Sequence, residues 1–186
     1  MDVQRADPQI PATYADVEAL PPHVTGQIIY GALHAQPRPA PRHTRAASTL
    51  GFEVGSRYDR GGGGWIILVE PEVHWGGNVV VPDIAGWRRE RMTALPETAY
   101  FETVPDWICE VLSPSTRRLD KVEKRALYAE MGVAHLWHVD PEHRTLEVFT
   151  LKGGEWLLTH VREGDDTCDV PPFDAVPFGL GALWTL

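Results

Sequence analysis

The chain has 186 residues, 43% of them hydrophobic and 23% charged, which is typical of one globular domain and excludes disordered, collagen-like and coiled-coil chains. Its formal net charge is −9, so the molecule as a whole repels polyanions and any nucleic-acid contact must be local. No apolar run approaches the roughly 18 to 20 residues that cross a bilayer, and the first residues lack the basic and apolar regions of a signal peptide. The expectation is a cytoplasmic protein.

The chain is expected to form one domain. Residues 1–12 are polar and contain proline, and they predict a lead-in to a single domain over residues 13–186. The cysteines are Cys109 and Cys168, and two cysteines so far apart cannot build a four-cysteine zinc site. Cys109 lies in an apolar run, where a free cysteine behaves as a small hydrophobic residue. No disulfide is expected.

The first elements are short and are separated by glycine and proline. Thr13 is the expected N-cap of a helix that stops at Pro21-Pro22. Two short strands are predicted over residues 26–30 and 32–34. Apolar residues then recur at helical spacing over residues 43–58, which predicts a longer helix.

The middle of the chain predicts a hairpin. The segments 65–69 and 79–81 are apolar and β-branched, and a Gly-Gly-Asn turn at 76–78 lies between them. These two segments are therefore expected to pair with each other. Residues 88–105 are charged and irregular.

The run Trp107-Ile-Cys-Glu-Val-Leu112 predicts a central strand that is covered on both faces. Ser113-Pro-Ser-Thr116 offers N-cap chemistry for a helix over residues 117–131. Further strands are predicted over residues 134–139, 145–151 and 156–161. This order of elements indicates an α/β or α+β sheet with helices packed on it.

Glu110 is the acid inside that apolar strand. Burying an ionised carboxylate without a partner costs several kcal/mol or forces it to take up a proton. Asp83 closes the neighbouring apolar segment, and two carboxylates side by side repel each other unless a cation lies between them. A hard divalent ion such as Mg²⁺ satisfies both. The alternative is that Asp83 only makes a turn and that Glu110 pairs with an arginine.

Lys124 is predicted to point toward the sheet. On a helix with 100° between residues it falls within the stripe of Leu127, Tyr128 and Met131. A lysine on that face, close to a buried glutamate, can hold an attacking water or stabilise charge on a phosphoryl oxygen. The alternative is a lysine whose stem covers apolar surface and whose ammonium reaches solvent, paired with Asp120.

Several segments carry a family resemblance. VVVPDIAGW, PDWICEVLSPST, DKVEK, YAEMGVAHLWHVDP and RTLEVFTL resemble the Uma-type family of restriction-endonuclease-like proteins. Its superfamily is defined by a PD followed at a distance by a (D/E)xK. The similarity runs from about Tyr14 to Trp156 and is weak before residue 65. The resemblance implies one α/β domain with a restriction-endonuclease-like central mixed sheet flanked by helices.

The resemblance also implies site residues. Asp83 resembles the aspartate of PD and Glu110 the following acid, while the superfamily's lysine position is Leu112 here. In this family the lysine stands on the following helix, which matches Lys124. His43 resembles the family's histidine at the start of the second helix; a structural or partner-contacting role is the alternative.

Two further residues are candidates for the surroundings of the site. Asp106 shares strand parity with Glu110, and so is a candidate for an outer metal contact or for a strand-opening turn. Lys121 belongs to a set of basic residues expected to form a positive rim around the site. The others are Arg88, Arg89, Arg91, Arg117 and Arg118. An ordinary solvated loop is the alternative for residues 88–91.

The implied function is hydrolysis of phosphodiester bonds in nucleic acid, DNA ahead of RNA, with Mg²⁺ or Mn²⁺ held by Asp83 and Glu110. A homodimer is expected by analogy, because cutting both strands of a duplex takes two active sites. No membrane partner is expected.

The chain also departs from the family. Gln27 stands where an acid is common, and Tyr30-Gly31-Ala32 replaces an acidic turn. Glu70 and Glu72 are possible substitutes. Two alternatives therefore stay open: a nuclease-fold binding or assembly module without catalysis, and a carboxylate-pair hydrolase of another substrate such as a glycosidase.

Overall fold

A computed structural model describes residues 10–60 and 62–185 of the chain. Residues 1–9 of the predicted lead-in lie outside the described residues. The α-helices are α1 (Tyr14–Glu18), α2 (Pro41–Val54) and α3 (Arg125–Met131). π-helical segments, Gly55–Asp59 and Leu119–Lys124, follow α2 and precede α3. A 3₁₀ turn covers Leu180–Leu183.

The strands of the described residues form three sheets. Their bounds are β1 (Val24–Ile29), β2 (Ala32–Pro37), β3 (Trp65–Val69), β4 (Val73–Trp75), β5 (Asn78–Val80), β6 (Ile84–Arg88), β7 (Trp107–Val111), β8 (His135–Asp140), β9 (Thr145–Lys152), β10 (Glu155–Glu163), β11 (Thr167–Cys168) and β12 (Phe178–Gly179). The largest is a six-stranded sheet with the order β10-β9-β8-β7-β6-β3. Because β7 runs parallel to β8 and antiparallel to β6, this is the mixed central sheet that the resemblance implied.

The predicted hairpin between residues 65–69 and 79–81 is wrong. β3 pairs with β6, and β5 instead pairs with β4 and with β1 in a smaller sheet of order β2-β1-β5-β4. Gly76 and Gly77 both have positive φ, 54° and 81°, and they join Trp75 directly to Asn78. A two-residue turn of this kind closes the nearest strands. The glycine pair therefore belongs to a shorter hairpin than the one expected.

β7 is central and covered on both faces, as its composition predicted. Trp107, Cys109 and Val111 face one apolar cluster, in which the Trp107 ring lies edge-on to Trp137 at 5.2 Å. Ile108 lies in a second cluster beneath α3. Buried aromatic rings contribute much of the energy of a core. Glu110 thus occupies a position where the fold otherwise places apolar side chains.

The two predicted long helices are present, each with a π-helical segment. Residues 41–59 form one continuous helical stretch against the sheet, and Leu119–Lys124 runs directly into α3. Gly132 ends α3 with a φ of 80°, the left-handed conformation that glycine adopts most readily. Both cysteines are buried and unpaired. Within the described residues no helix combines the length and the apolar character needed to span a bilayer.

Candidate active site

The antiparallel pairing of β6 with β7 places two acids side by side. Ile84 opens β6 opposite Cys109 of β7, so Asp83, just before Ile84, reaches the backbone beyond Cys109. Its Oδ2 accepts a hydrogen bond of 2.7 Å from the backbone N–H of Val111. The Asp83 carboxylate therefore contacts the backbone of the residue that follows Glu110. The two acids are neighbours across the β6–β7 pair, as predicted.

Glu110 receives two donors on one oxygen. Lys124 Nζ lies 2.8 Å from Glu110 Oε1, and the Tyr128 hydroxyl donates to the same oxygen at 2.5 Å. Less than a tenth of the Glu110 and Lys124 side chains is exposed. The sequence led us to expect that a divalent ion compensates this buried acid; in the structure Lys124 supplies a positive charge itself.

Lys124 is fixed from a second side by its own helix. Asp120 Oδ1 lies 3.4 Å from Lys124 Nζ, and only 4% of the Asp120 side chain is exposed. The alternative of a lysine whose ammonium reaches solvent is wrong, although the predicted contact with Asp120 is present. The inward orientation that the helical periodicity predicted is confirmed, because only 3% of the Lys124 side chain is exposed.

The electrostatics of the cluster follow from burial. Burial raises the pKa of Glu110, and Lys124 opposes that change without cancelling it, so the net shift is upward. Burial lowers the pKa of Lys124, but Glu110 and Asp120 outweigh burial, so this pKa is raised and the ammonium stays charged. Burial and the Glu110 charge raise the pKa of Tyr128. The phenol therefore stays protonated and remains a donor.

His43 approaches Asp83 from the first turn of α2. Its Nε2 lies 3.2 Å from Asp83 Oδ1. Burial lowers the pKa of His43, but the Asp83 carboxylate outweighs burial, and the net shift is upward. The structure thus brings His43 into the cluster, where it holds one oxygen of Asp83 while Val111 holds the other.

Of the positions that depart from the family, Gln27 contacts the segment that leads to Asp83, whereas Tyr30 does not. Gln27 is 1% exposed, and its Oε1 accepts a hydrogen bond of 2.9 Å from the backbone N–H of Val81. It therefore fixes the segment leading to Asp83 without adding a charge. Tyr30 points elsewhere, because its hydroxyl donates to Glu130 at 2.8 Å.

Neither of the possible substitutes, Glu70 and Glu72, joins the cluster through its carboxylate. Glu72 Oε1 lies 2.7 Å from His74 Nε2. The backbone N–H of Glu70 donates to the carbonyl of Asp83 at 3.0 Å, yet the Glu70 side chain is exposed.

Asp106 and Lys121 lie away from the cluster. Asp106 precedes β7 at the end opposite Glu110, where its carboxylate accepts hydrogen bonds from the backbone N–H of Arg88 and from the Arg91 guanidinium. Lys121 instead pairs with Glu147 at 2.8 Å, and about a third of each side chain is exposed.

The arginines of residues 88–91 do not contribute to the predicted positive rim. Arg88, Arg89 and Arg91 lie at the far end of β6 from Asp83, because β6 runs away from the site. Arg89 pairs with Asp59. These arginines are close to Asp83 in the sequence, but the length of β6 separates them from it in space.

Sequence reasoning did not select Asp120 and Tyr128 as site residues. A signal was present: Asp120, Lys124 and Tyr128 recur every fourth residue, which aligns them on one helical face. The periodicity counted Tyr128 among the apolar residues of that face and placed Asp120 only as a partner of Lys124.

A second acidic group lies at the end of β8. Asp140, Glu142 and His143 have ligand atoms within 4.8 Å of one another, and the described residues contain no other such group of three. Asp140 already accepts hydrogen bonds from Arg117 and from the backbone of His143. Contacts within the protein therefore explain why these three side chains lie together.

The donor set of the buried cluster fits a hard divalent cation. Mg²⁺ prefers carboxylate oxygens, usually from one or two acids, and completes its shell with water. Asp83 and Glu110 supply two carboxylates held in place by Val111, His43 and Lys124. Asp83 keeps contact with solvent, since 18% of its side chain is exposed.

Comparisons with known proteins agree with this architecture. A family model described as "Uma2: Putative restriction endonuclease" matches residues 12–180. The chain is also similar to a solved structure titled as a putative nuclease belonging to DUF820 from Anabaena variabilis ATCC 29413. The TM-score is 0.75 and the identity 21%, over 94% of this chain and 98% of that one. At this identity the likeness shows a shared fold. No curated protein matches the chain.

Proposed function

Because the chain belongs to the Uma2 family of putative restriction endonucleases, we propose that it is a metal-dependent nuclease that hydrolyses phosphodiester bonds. The observation that carries the proposal is the contact of 2.8 Å between Lys124 Nζ and Glu110 Oε1, with Asp83 held on the adjacent backbone. Burying a carboxylate and an ammonium next to each other contributes little or no net stability. Stability alone therefore does not explain this pair. Buried charges of this kind are typical of catalytic sites.

Asp83 and Glu110 would hold the metal ion. When bound, Mg²⁺ or Mn²⁺ lowers the pKa of a coordinated water and neutralises charge on the scissile phosphate. Hydrolysis forms a bond from the water oxygen to phosphorus and breaks the bond to the ester oxygen. The attacking water gives up one proton to solvent, and the leaving oxygen takes up one proton from solvent. DNA is the first substrate to test.

Lys124 stabilises the charge that develops on the phosphoryl oxygens. Its ammonium is oriented before the reaction by Glu110 and Asp120, so little reorganisation is needed as charge develops. Tyr128 keeps its proton and restrains Glu110 by donating to Oε1. His43 positions Asp83 through its Nε2.

A binding or assembly module without catalysis is the second candidate. The uncharged Gln27, which stands where an acid is common in the family, favours it. If an acid at that position is needed for the metal shell, the chain binds nucleic acid without cutting it. The homodimer and the cytoplasmic location predicted from the sequence stay predictions.

The test is cleavage of single- and double-stranded DNA and of RNA with Mg²⁺, with Mn²⁺ and with a chelator. We expect cleavage that requires one of the metals and that falls at least about 100-fold in Asp83→Asn. Asp106→Asn is the matched control, because Asp106 lies at the other end of β7, and it should retain activity. Binding without cleavage by the unmodified protein would favour the second candidate.

A further inference from the structure

Solvent reaches the buried cluster from one side. The side chains of Glu110 and Lys124 are 2% and 3% exposed, and that of Asp120 is 4% exposed. Asp83 and His43 are more accessible, at 18% and 10%. A phosphate group must therefore approach past Asp83 and the first turn of α2, which carries His43.

More than half of the arginines and lysines in the described residues already contact a carboxylate or an aromatic ring. Within residues 10–60 and 62–185, seven arginines and lysines contact a carboxylate: Arg57, Arg89, Arg91, Arg117, Lys121, Lys124 and Arg162. Two more lie over aromatic rings, Arg88 over Trp65 and Arg125 over Phe149. A cation that already contacts a carboxylate gains less from a phosphate, because the existing pair must first be broken.

Arg38 and Arg42 differ from these cations in two ways. Both are exposed, and neither contacts a carboxylate within the part of the chain that the structure describes. Arg42 directly precedes His43, and Arg38 lies on the loop just before α2. A proline directly precedes each of these arginines, and Pro39 lies between them. The prolines restrict the backbone conformations of this segment.

Arg118 is also exposed, but its direction is less favourable. It precedes the inward-facing Asp120 by two residues, which places it about 200° around the helix from that side chain. Arg45, two residues after His43, is exposed as well, but it already donates to the carbonyl of Thr185 at 3.2 Å. Arg38 and Arg42 are therefore the exposed cations next to His43 in the chain that have no carboxylate or carbonyl contact within the described residues.

We propose that Arg38 and Arg42 form a phosphate-contacting surface that seats the backbone of a nucleic acid against the Asp83 side of the cluster. The inference rests on the proposed function, and it adds which residues bind the substrate and from which side it enters. On a protein with a net charge of −9, two unpaired arginines provide the local attraction that the molecule as a whole lacks.

The test measures binding separately from cleavage. A short fluorescent DNA duplex is titrated with the full chain in a chelator, at KCl concentrations from about 50 to 200 mM, and anisotropy gives the affinity. The variant is Arg38→Gln with Arg42→Gln. The control is Arg60→Gln with Lys152→Gln, which removes the same charge. Arg60 directly follows the helical stretch, roughly 25 Å from Arg42 at the rise of a helix, and Lys152 is the last residue of β9.

We expect the Arg38/Arg42 variant to bind at least about tenfold more weakly at low salt, and the slope of log K against log [KCl] to fall by about 1.8, which is two phosphate contacts. The control should keep both values. Equal losses in the two variants, unchanged binding in the Arg38/Arg42 variant, or no binding by the unmodified chain would overturn the proposal.

The outcomes separate the two proposals. Specific loss of binding in a protein that never cleaves would support the Arg38/Arg42 surface and refute the nuclease. Cleavage that is unaffected by the Arg38/Arg42 variant would refute the surface and leave the nuclease standing.

Discussion

Two lysines of one π-helical segment each contact a glutamate of the central sheet, and burial is what distinguishes them. Lys124 pairs with Glu110 and Lys121 pairs with Glu147, both at 2.8 Å. The first pair is about 3% exposed and the second about a third exposed. The same type of ion pair, at the same distance, thus occurs once in the protein interior and once near solvent.

The two pairs show that the distance between the charged atoms does not determine how much an ion pair contributes to the free energy of unfolding. An exposed ion pair contributes about 0 to 1 kcal/mol, because water and salt screen it. A buried pair contributes little net stability either, since desolvation offsets the attraction, but removal of one partner costs about 3 to 5 kcal/mol. The fold therefore depends on both Glu110 and Lys124, because neither side chain can be removed without leaving its buried partner exposed to the desolvation cost.

The largest expected effect comes from removing each lysine in turn. Lys124→Met leaves Glu110 and Asp120 buried without their cation, and we expect a loss of about 3 kcal/mol in the free energy of unfolding. Lys121→Met should cost about 0.2 to 1 kcal/mol. Urea unfolding at neutral pH measures both. Equal losses would show that burial does not separate the two pairs.

A smaller effect is expected from the phenol that shares Glu110. Tyr128→Phe removes a buried hydrogen bond to a charged group, which is worth about 1.5 to 3 kcal/mol. Tyr30→Phe is the matched control, because the Tyr30 hydroxyl also donates to a glutamate, Glu130, at 2.8 Å, but in an exposed position. The control should change the melting temperature little. A similar drop in both variants would contradict the role given to burial.

The smallest effect concerns the pH dependence of the exposed pair. His138, 3.8 Å away, lowers the pKa of Glu147; burial opposes that change, Lys121 adds to it, and the result is a fall from 4.5 to about 2. A depressed carboxyl pKa contributes stability above the unfolded value, and the contribution is lost as pH falls through the folded value.

Lys121→Met should bring the pKa of Glu147 closer to 4.5. The advantage of the unmodified protein over this variant is then largest above about pH 5 and shrinks toward pH 2. An NMR titration of the Glu147 carboxyl, together with urea unfolding across this range, measures it. An advantage that grows as the pH falls would show that Lys121 does not act through Glu147.

Sequence periodicity predicted the parts of the site that depend on local geometry. A charged residue in an apolar strand and a lysine on the apolar stripe of the next helix identified Glu110 and Lys124. Strand pairing is a long-range property, and the pattern of residues 65–81 could not reveal that β3 pairs with β6. The same limit explains the misplaced arginine rim, because it depends on the direction in which β6 runs.

His43 illustrates a different limit. Its place beside Asp83 depends on how α2 packs against the sheet, so only the family resemblance identified it. Tyr128 was predicted to be buried, and it is 0% exposed. Its contact with Glu110 depends on side-chain geometry that periodicity does not resolve.

The most direct measurement of the central claim is the single-turnover cleavage rate of DNA with Mn²⁺ for Glu110→Gln and Glu147→Gln. Both variants exchange a carboxylate for an amide beside a lysine of the same helical segment. The account predicts that Glu147→Gln cleaves at the rate of the unmodified protein and that Glu110→Gln is slower by at least about 100-fold. Retained cleavage in Glu110→Gln, or an equal loss in both variants, would contradict it.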